Sequence, residues 1–116
     1  PFARGAKREA KIKTRDSLAR VGLSGKERKL FHQVSGGEFQ RALIARALVS
    51  SPDIVLLDEP FANIDRAGKR EIKEMLLEES TRLNFTLIII DHHENVDFCT
   101  NCFEIENGVV TGNGAV

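Results

Sequence analysis

Three short segments carry the residue types that chemistry needs. Val34-Ser35-Gly36-Gly37-Glu38-Phe39-Gln40-Arg41 sets a hydroxyl, two glycines and a carboxylate at the start of a helical pattern. Ile54-Val55-Leu56-Leu57-Asp58-Glu59-Pro60 ends an apolar run on two acids, and Leu87 to Ile90 ends another on Asp91-His92. Ser35 with Glu38 three residues on satisfies a capping box, which needs no glycine. Two glycines in a first helical turn lower helix propensity, so they suit a helix start where a bulky anion must reach the N–H groups at the positive end of the dipole. The segment is suited to phosphate. Each feature alone has a plainer reading, as a capped helix, a solvated turn or a surface histidine, so their placement in the fold decides.

The elements that must position them follow from periodicity. Residues 7–21 lack breakers, place Ala10, Ile12, Leu18 and Val21 at loosely helical intervals and stop before Gly22. Residues 23–33 read as a turn with a short helical piece. From the Ser35 cap a helix runs to about Val49, with Phe39, Leu43 and Ala47, beside Ala42 and Leu48, as its expected buried stripe. Ile54 to Leu57 has no polar alternation, which predicts a strand buried on both faces of a parallel sheet. Asp65 to about Leu83 carries Ile72, Met75, Leu76 and Leu83 at helical spacing, and Phe85 to Ile90 is strand-like. This makes one βαβ unit, whose strands end on the same edge of the sheet, where open α/β folds bind ligands. Two acids and a histidine should converge there. Cys102 to Ile105, Asn107-Gly108 and Val109 to Thr111 predict a hairpin through a type I′ turn, with Gly112-Asn113-Gly114 frayed.

Composition sets the bounds. The 116 residues, 41% hydrophobic and 29% charged, suit one globular domain or part of one. The longest apolar runs are far below the roughly 20 residues that span a bilayer, and no charged-then-apolar leader opens the sequence, so the expectation is a chain that does not cross a membrane. Cys99 and Cys102 give no disulfide framework and fit a reducing cytosol. Net charge is zero, yet residues 1–29 hold ten Lys/Arg against three Asp/Glu while residues 30–116 hold seven against fourteen. Lys7, Arg8, Lys11, Lys13 and Arg15 read as a solvated helix face, since no aromatics are interleaved to stack bases, and direct nucleic-acid binding is not expected.

Val34 to Arg41, continuing into Ala42-Leu43-Ile44-Ala45-Arg46-Ala47-Leu48, resembles the L-S-G-G-Q-x-Q-R signature of ABC-type ATPases. Ile54 to Pro60 is similar to that family's Walker B segment, Asn63-Ile64-Asp65 to its D-loop and Ile90-Asp91-His92 to its switch-histidine loop, in the family's order over about residues 15 to 112. The resemblance implies that Asp58 holds Mg²⁺ through water, that Glu59 is the general base and that His92 contacts the γ-phosphate of ATP and the attacking water. It also implies that Ser35, Gly36, Gly37 and Glu38 serve the nucleotide of a second ABC ATPase domain, with Asp65 at the interface of the pair. The implied activity is ATP hydrolysis driving solute transport through transmembrane permease subunits. The implied location is cytoplasmic, at the inner face of a membrane.

Departures from the pattern matter. No G-x-x-x-x-G-K-[ST] loop occurs in these residues, so the element that cradles the phosphates is missing. Gln33 is too close to the signature to be the family's glutamine loop. Glu38 stands where glutamine is commoner, and Asp91-His92-His93 replaces Ser-His-Asp, with register favouring His92. The implied fold is an incomplete P-loop NTPase-like α/β sheet with flanking helices: residues 1–49 as the end of the helical subdomain and 50–116 as part of the catalytic core. Because the family's phosphate-loop strand lies between its switch strand and its final strand, the chain alone should leave sheet edges and apolar surface exposed. Three other readings stay open. They are an SMC or DNA-repair ATPase, a nonenzymatic fragment that binds a complete ATPase, and a metal site built from Asp91, His92, His93, Glu94, Asp97, Cys99 and Cys102, whose spacing fits no closed zinc pattern.

Overall fold

A computed structural model describes residues 2–29 and 31–114. Helix α1, Phe2–Arg20, begins earlier than periodicity suggested. It ends in a Schellman motif: Gly22 takes φ +73°, its N–H donates to the Ala19 carbonyl at 3.1 Å, and the Leu23 N–H donates to the Leu18 carbonyl at 2.8 Å. Leu23 is buried and Leu18 packs against the same core, supplying the apolar contact that accompanies such a stop. The expected stripe of α1 is confined to its end. Ile12 is exposed, as are Lys7, Arg8, Lys11, Lys13 and Arg15, so the basic stretch is a solvated helix face.

Turns and a 3₁₀ segment, Phe31–Gln33, lead to α2, Gly36–Leu48. The buried side of α2 is Ile44, Ala45 and Leu48; of the expected stripe Leu48 is buried and Ala42 half-buried, but Phe39, Leu43 and Ala47 are exposed. One residue is a 100° rotation in a helix, and the side turned inward is the one that shares the core with Val21, Leu23, Val55, Phe61 and α3; Arg41 also reaches α3, its Nη1 lying 3.0 Å from Glu71 Oε2. Strand β1 is Ile54–Asp58, α3 is Arg66–Leu83 and β2 is Thr86–Ile90. Helix α3 is capped by Asp65 and ends on Asn84 in the left-handed conformation. Ile72, Met75 and Leu76 are buried as expected, and Leu83 is half-buried.

Strands β1 and β2 pair in parallel, from Ile54 opposite Thr86 to Asp58 opposite Ile90. Val55, Leu57, Leu87 and Ile89 join the core formed with α2, α3, Val21, Leu23 and Phe61. The expectation of burial on both faces fails. Val55 is 3% exposed, whereas Ile54 and Leu56 are 62% and 61% exposed, with Ile88 and Ile90 on the same face. No second layer covers that face among the described residues.

Strands β3, Cys102–Glu106, and β4, Val109–Gly114, form a separate antiparallel pair. Asn107 and Gly108 have φ of 51° and 78°, as a type I′ turn demands. The segment 112–114 is strand, not a frayed tail: Cys102 pairs with Gly114 across a register shift. Phe103, Ile105, Val109 and Val110 are all exposed. The radius of gyration is 16.3 Å, against about 13 Å for a compact domain of this length. We expect the isolated chain to bind the apolar dye ANS and to melt without a sharp transition; a monomer with cooperative thermal unfolding and no dye binding would contradict this.

Candidate functional site

The sheet edge is built first. The β ladder runs one bond beyond β1, since the Glu59 N–H donates to the Ile90 carbonyl at 2.8 Å. Asp58 and Glu59 therefore leave the sheet beside Asp91 and His92, as the sequence predicts. Glu59 takes φ +46°, a left-handed backbone that costs a non-glycine residue energy. Buried Pro60 and Phe61 behind it hold the turn. Asp58, Glu59 and His92 are exposed, open to a ligand arriving at this edge.

The second part of the site is the start of α2. Ser35 Oγ accepts from the Glu38 N–H at 3.1 Å and the Glu38 carboxylate accepts from the Ser35 N–H at 3.4 Å, so the capping box forms as the spacing predicts. The N–H groups of Gly36 and Gly37 have no acceptor within the helix. Lys26, which the sequence did not single out, binds Glu38 and holds its carboxyl below the usual 4.5, helped by the Ser35 N–H.

The two parts are joined through the turn 59–65. A Cβ added to Gly36 would lie 3.5 Å from the Asn63 carbonyl oxygen, and one on Gly37 would lie 4.0 Å from Ile64 Cγ2. The D-loop-like segment thus lies against the signature-like helix start. Asp65 Oδ1 accepts from the Gly68 N–H at 2.9 Å. Only glycine permits this closeness at 68, where a Cβ would come within 2.8 Å of both Asp65 Oδ1 and Ile64 Cγ2.

Behind the edge Asp91 and Asp97 meet groups that the sequence reading missed, namely Asn95, Lys69 and Lys73. Asp91 Oδ1 accepts from the His92 N–H at 2.7 Å and from Asn95 Nδ2 at 2.6 Å, and Asn95 Oδ1 accepts from Lys69 Nζ at 3.2 Å. Phe61 and Phe98 meet edge to face with centroids 6.1 Å apart. Lys73 Nζ sits 5.6 Å from each ring and 2.6 Å from Asp97 Oδ1, and it holds the Asp97 carboxyl below its usual range. The four-residue interval from Asp91 to Asn95 is visible in sequence. The approach of Lys69 and Lys73 from α3 is not.

The supposed metal cluster does not assemble, for no three His, Cys, Asp or Glu side chains among the described residues are placed to share an ion. Asp97 is engaged by Lys73, and burial pushes the Cys99 thiol up. The His93 side chain lies outside the described part of the structure.

At the helix cap, Ser35→Ala should cost about 1 kcal/mol of α2 stability, read as lost ellipticity at 222 nm. Because the folded Glu38 carboxyl titrates below its unfolded value, its contribution is present above that unfolded value and is lost as pH falls through the folded one. The helicity advantage over Glu38→Gln should accordingly persist at pH 7 and vanish at strongly acid pH.

Comparison with known proteins agrees with this geometry. The family model described as ABC transporter matches residues 3–62. Methionine import ATP-binding protein MetN 2 of Listeria monocytogenes is 38% identical over 97% of this chain and 33% of its own length. Fe(3+) ions import ATP-binding protein FbpC of Rhizobium etli is 39% identical over 77% of this chain and 25% of its own. The chain thus spans a quarter to a third of these relatives. The structure of cbiO1 from Clostridium perfringens, part of the ABC transporter complex cbiONQ, superposes with a TM-score of 0.84 at 33% identity, covering 94% of this chain and 44% of that one. A nucleotide-free ATP-binding cassette from an ABC transporter, 24% identical, shares the fold with a TM-score of 0.83 over 90% of this chain and 42% of its own. With the signature-like helix start, the paired acids and the histidine in the family's order on a shared fold, this chain belongs to the ABC transporter ATP-binding family.

Proposed function

We propose that the chain is the signature-to-switch portion of the ATP-binding subunit of an ABC importer, in which ATP hydrolysis drives a solute through separate membrane-spanning subunits. Residues 1–49 are the end of its helical subdomain and 50–116 part of its catalytic core. The observation that carries the reading is the convergence of Asp58, Glu59, Asp91 and His92 on one sheet edge, beside a turn that touches a Gly-Gly helix start. Relatives named for import favour this over a DNA-repair ATPase. No described helix is long and apolar enough to cross a membrane, which fits attachment at the inner face through partner subunits.

The exposed carboxylates fit a hard cation: Asp58 would hold Mg²⁺ through water, and the ion would neutralise phosphate charge when bound. Glu59 would accept the proton of the attacking water, aimed by its turn. His92 would donate toward the terminal phosphate from the neighbouring strand end. Ser35, Gly36, Gly37 and Glu38 would present the positive end of α2 to the nucleotide of a second ATPase domain, with Asp65 at the boundary between the two.

A fluorescent ATP analogue titrated with Mg²⁺ tests this. The chain alone should bind weakly, because no phosphate loop is among its residues, and adding an ABC ATPase domain that has the loop should give ATP-dependent association. Gly37→Asp, which sets a carboxylate where a phosphate would lie, should abolish that association, while Gly37→Ala should keep most of it. Equal association by Gly37→Asp would sink the assignment of the signature. In an intact subunit carrying these residues, Glu59→Gln should lower ATP turnover by about 10²-fold or more.

A further inference from the structure

The proposed hydrolytic edge leaves one polar group with no assigned task. Asn95 is buried, at 6% exposure, in the short 3₁₀ turn His93–Asn95, and its backbone N–H donates to the His92 carbonyl at 2.9 Å. Its amide uses both ends. Nδ2 donates to Asp91 Oδ1 at 2.6 Å and Oδ1 accepts from Lys69 Nζ at 3.2 Å. Asp91 Oδ1 also accepts from the His92 N–H, whereas Asp91 Oδ2 is buried without a partner among the described residues. The Asp91 side chain is therefore held on one oxygen only, and Asn95 is the side chain that holds it. Lys69 lies one helical turn after Asp65, and its backbone N–H donates to the Asp65 carbonyl at 2.9 Å.

From this geometry we infer that Asn95 is a positioning residue for the switch histidine, clamping Asp91 and thereby tying the His92 loop to the helix that starts at Asp65. The inference rests on the proposed function, since it gives His92 its task there. A buried amide between a carboxylate and an ammonium is satisfied at both ends in one orientation only, because Nδ2 must face Asp91 and Oδ1 must face Lys69. That fixes the amide rotamer and, through it, the plane of the Asp91 carboxylate. The His92 N–H is bound to the same oxygen, so the backbone that carries the imidazole inherits this fixed plane. An aspartate directly before the histidine thus acts as a handle. Movement of the Asp65 segment would reach His92 through Lys69 and Asn95 without any contact between the two.

The test uses the intact ATPase subunit carrying these residues, with Asn95→Asp and Lys69→Met. Asn95→Asp opposes two carboxylates where the amide now bridges. Lys69→Met keeps the amide and removes the ammonium that orients it. Asn95→Asp should lower kcat by about tenfold to a hundredfold while KM for ATP moves by less than about threefold, as expected for a displaced catalytic group and not for lost binding. Lys69→Met should lower kcat by a smaller factor, about threefold to tenfold, again with little change in KM. Parental kcat in Asn95→Asp overturns the inference. Where Asn95→Asp does not fold, Lys69→Met decides alone: a loss of kcat at constant KM supports the clamp, and parental kcat overturns it. Hydrogen exchange of the His92 amide separates this inference from the functional reading. If Glu59→Gln hydrolyses ATP at the parental rate, the hydrolytic reading falls, while faster His92 exchange in Asn95→Asp still upholds the clamp and unchanged exchange overturns it.

Discussion

The parallel pairing of β1 with β2 is the constraint on which the rest depends. With Asp58 opposite Ile90, and the Glu59 N–H bound to the Ile90 carbonyl, both strands end at one level. Two acids from one strand and the Asp91-His92 pair from the other are then forced to share an edge. A slip of one residue would turn every side chain to the other face and would move Val55 out of the core. The register thus fixes the hydrophobic core and the chemistry together. The left-handed turn at Glu59 costs on the order of 1–3 kcal/mol, a cost offset by the ladder bond in front of it and the burial of Pro60 and Phe61 behind.

From that edge the turn 59–65 carries order to the start of α2. Asn63 and Ile64 lie against Gly36 and Gly37, and Asp65 begins α3. Helix α3 returns the connection, because Lys69 and Lys73 reach the loop that follows His92. Exposed ion pairs contribute little to stability by themselves. Their role here is geometric: Arg41 with Glu71 orients α2 against α3, and Lys73 sits between Phe61 and Phe98 from the two strand-end turns. The signature-like helix, the acidic turn and the histidine loop therefore form one connected body around α3.

The open face of Ile54, Leu56, Ile88 and Ile90 and the exposed hairpin have their counterpart in the comparisons, for the chain covers less than half of the solved relative it superposes on. In a parallel sheet both faces are ordinarily covered. Here the covered face is the one that α2 and α3 can reach.

Local chemistry was legible in the sequence. The Ser35–Glu38 capping box, the stop at Gly22 and the Asn107-Gly108 turn each depend on residues within a few positions of one another, so spacing alone specified them. The βαβ order placed Asp58, Glu59, Asp91 and His92 on one edge, because parallel strands joined by a helix must end together. Tertiary structure decided what depends on neighbours distant in the chain. It added Ile44 and Ala45 to Leu48 and left out Phe39, Leu43 and Ala47 on the buried side of α2, since hydrophobic periodicity marks an apolar helix without saying which way its partners lie. It left one face of β1 bare, which an unbroken apolar run cannot signal. It also brought Lys69 from α3 to Asn95, the residue that holds Asp91, a contact across 26 positions whose members show no shared pattern, because a side-chain hydrogen bond is set by where two backbones pass and not by spacing along one.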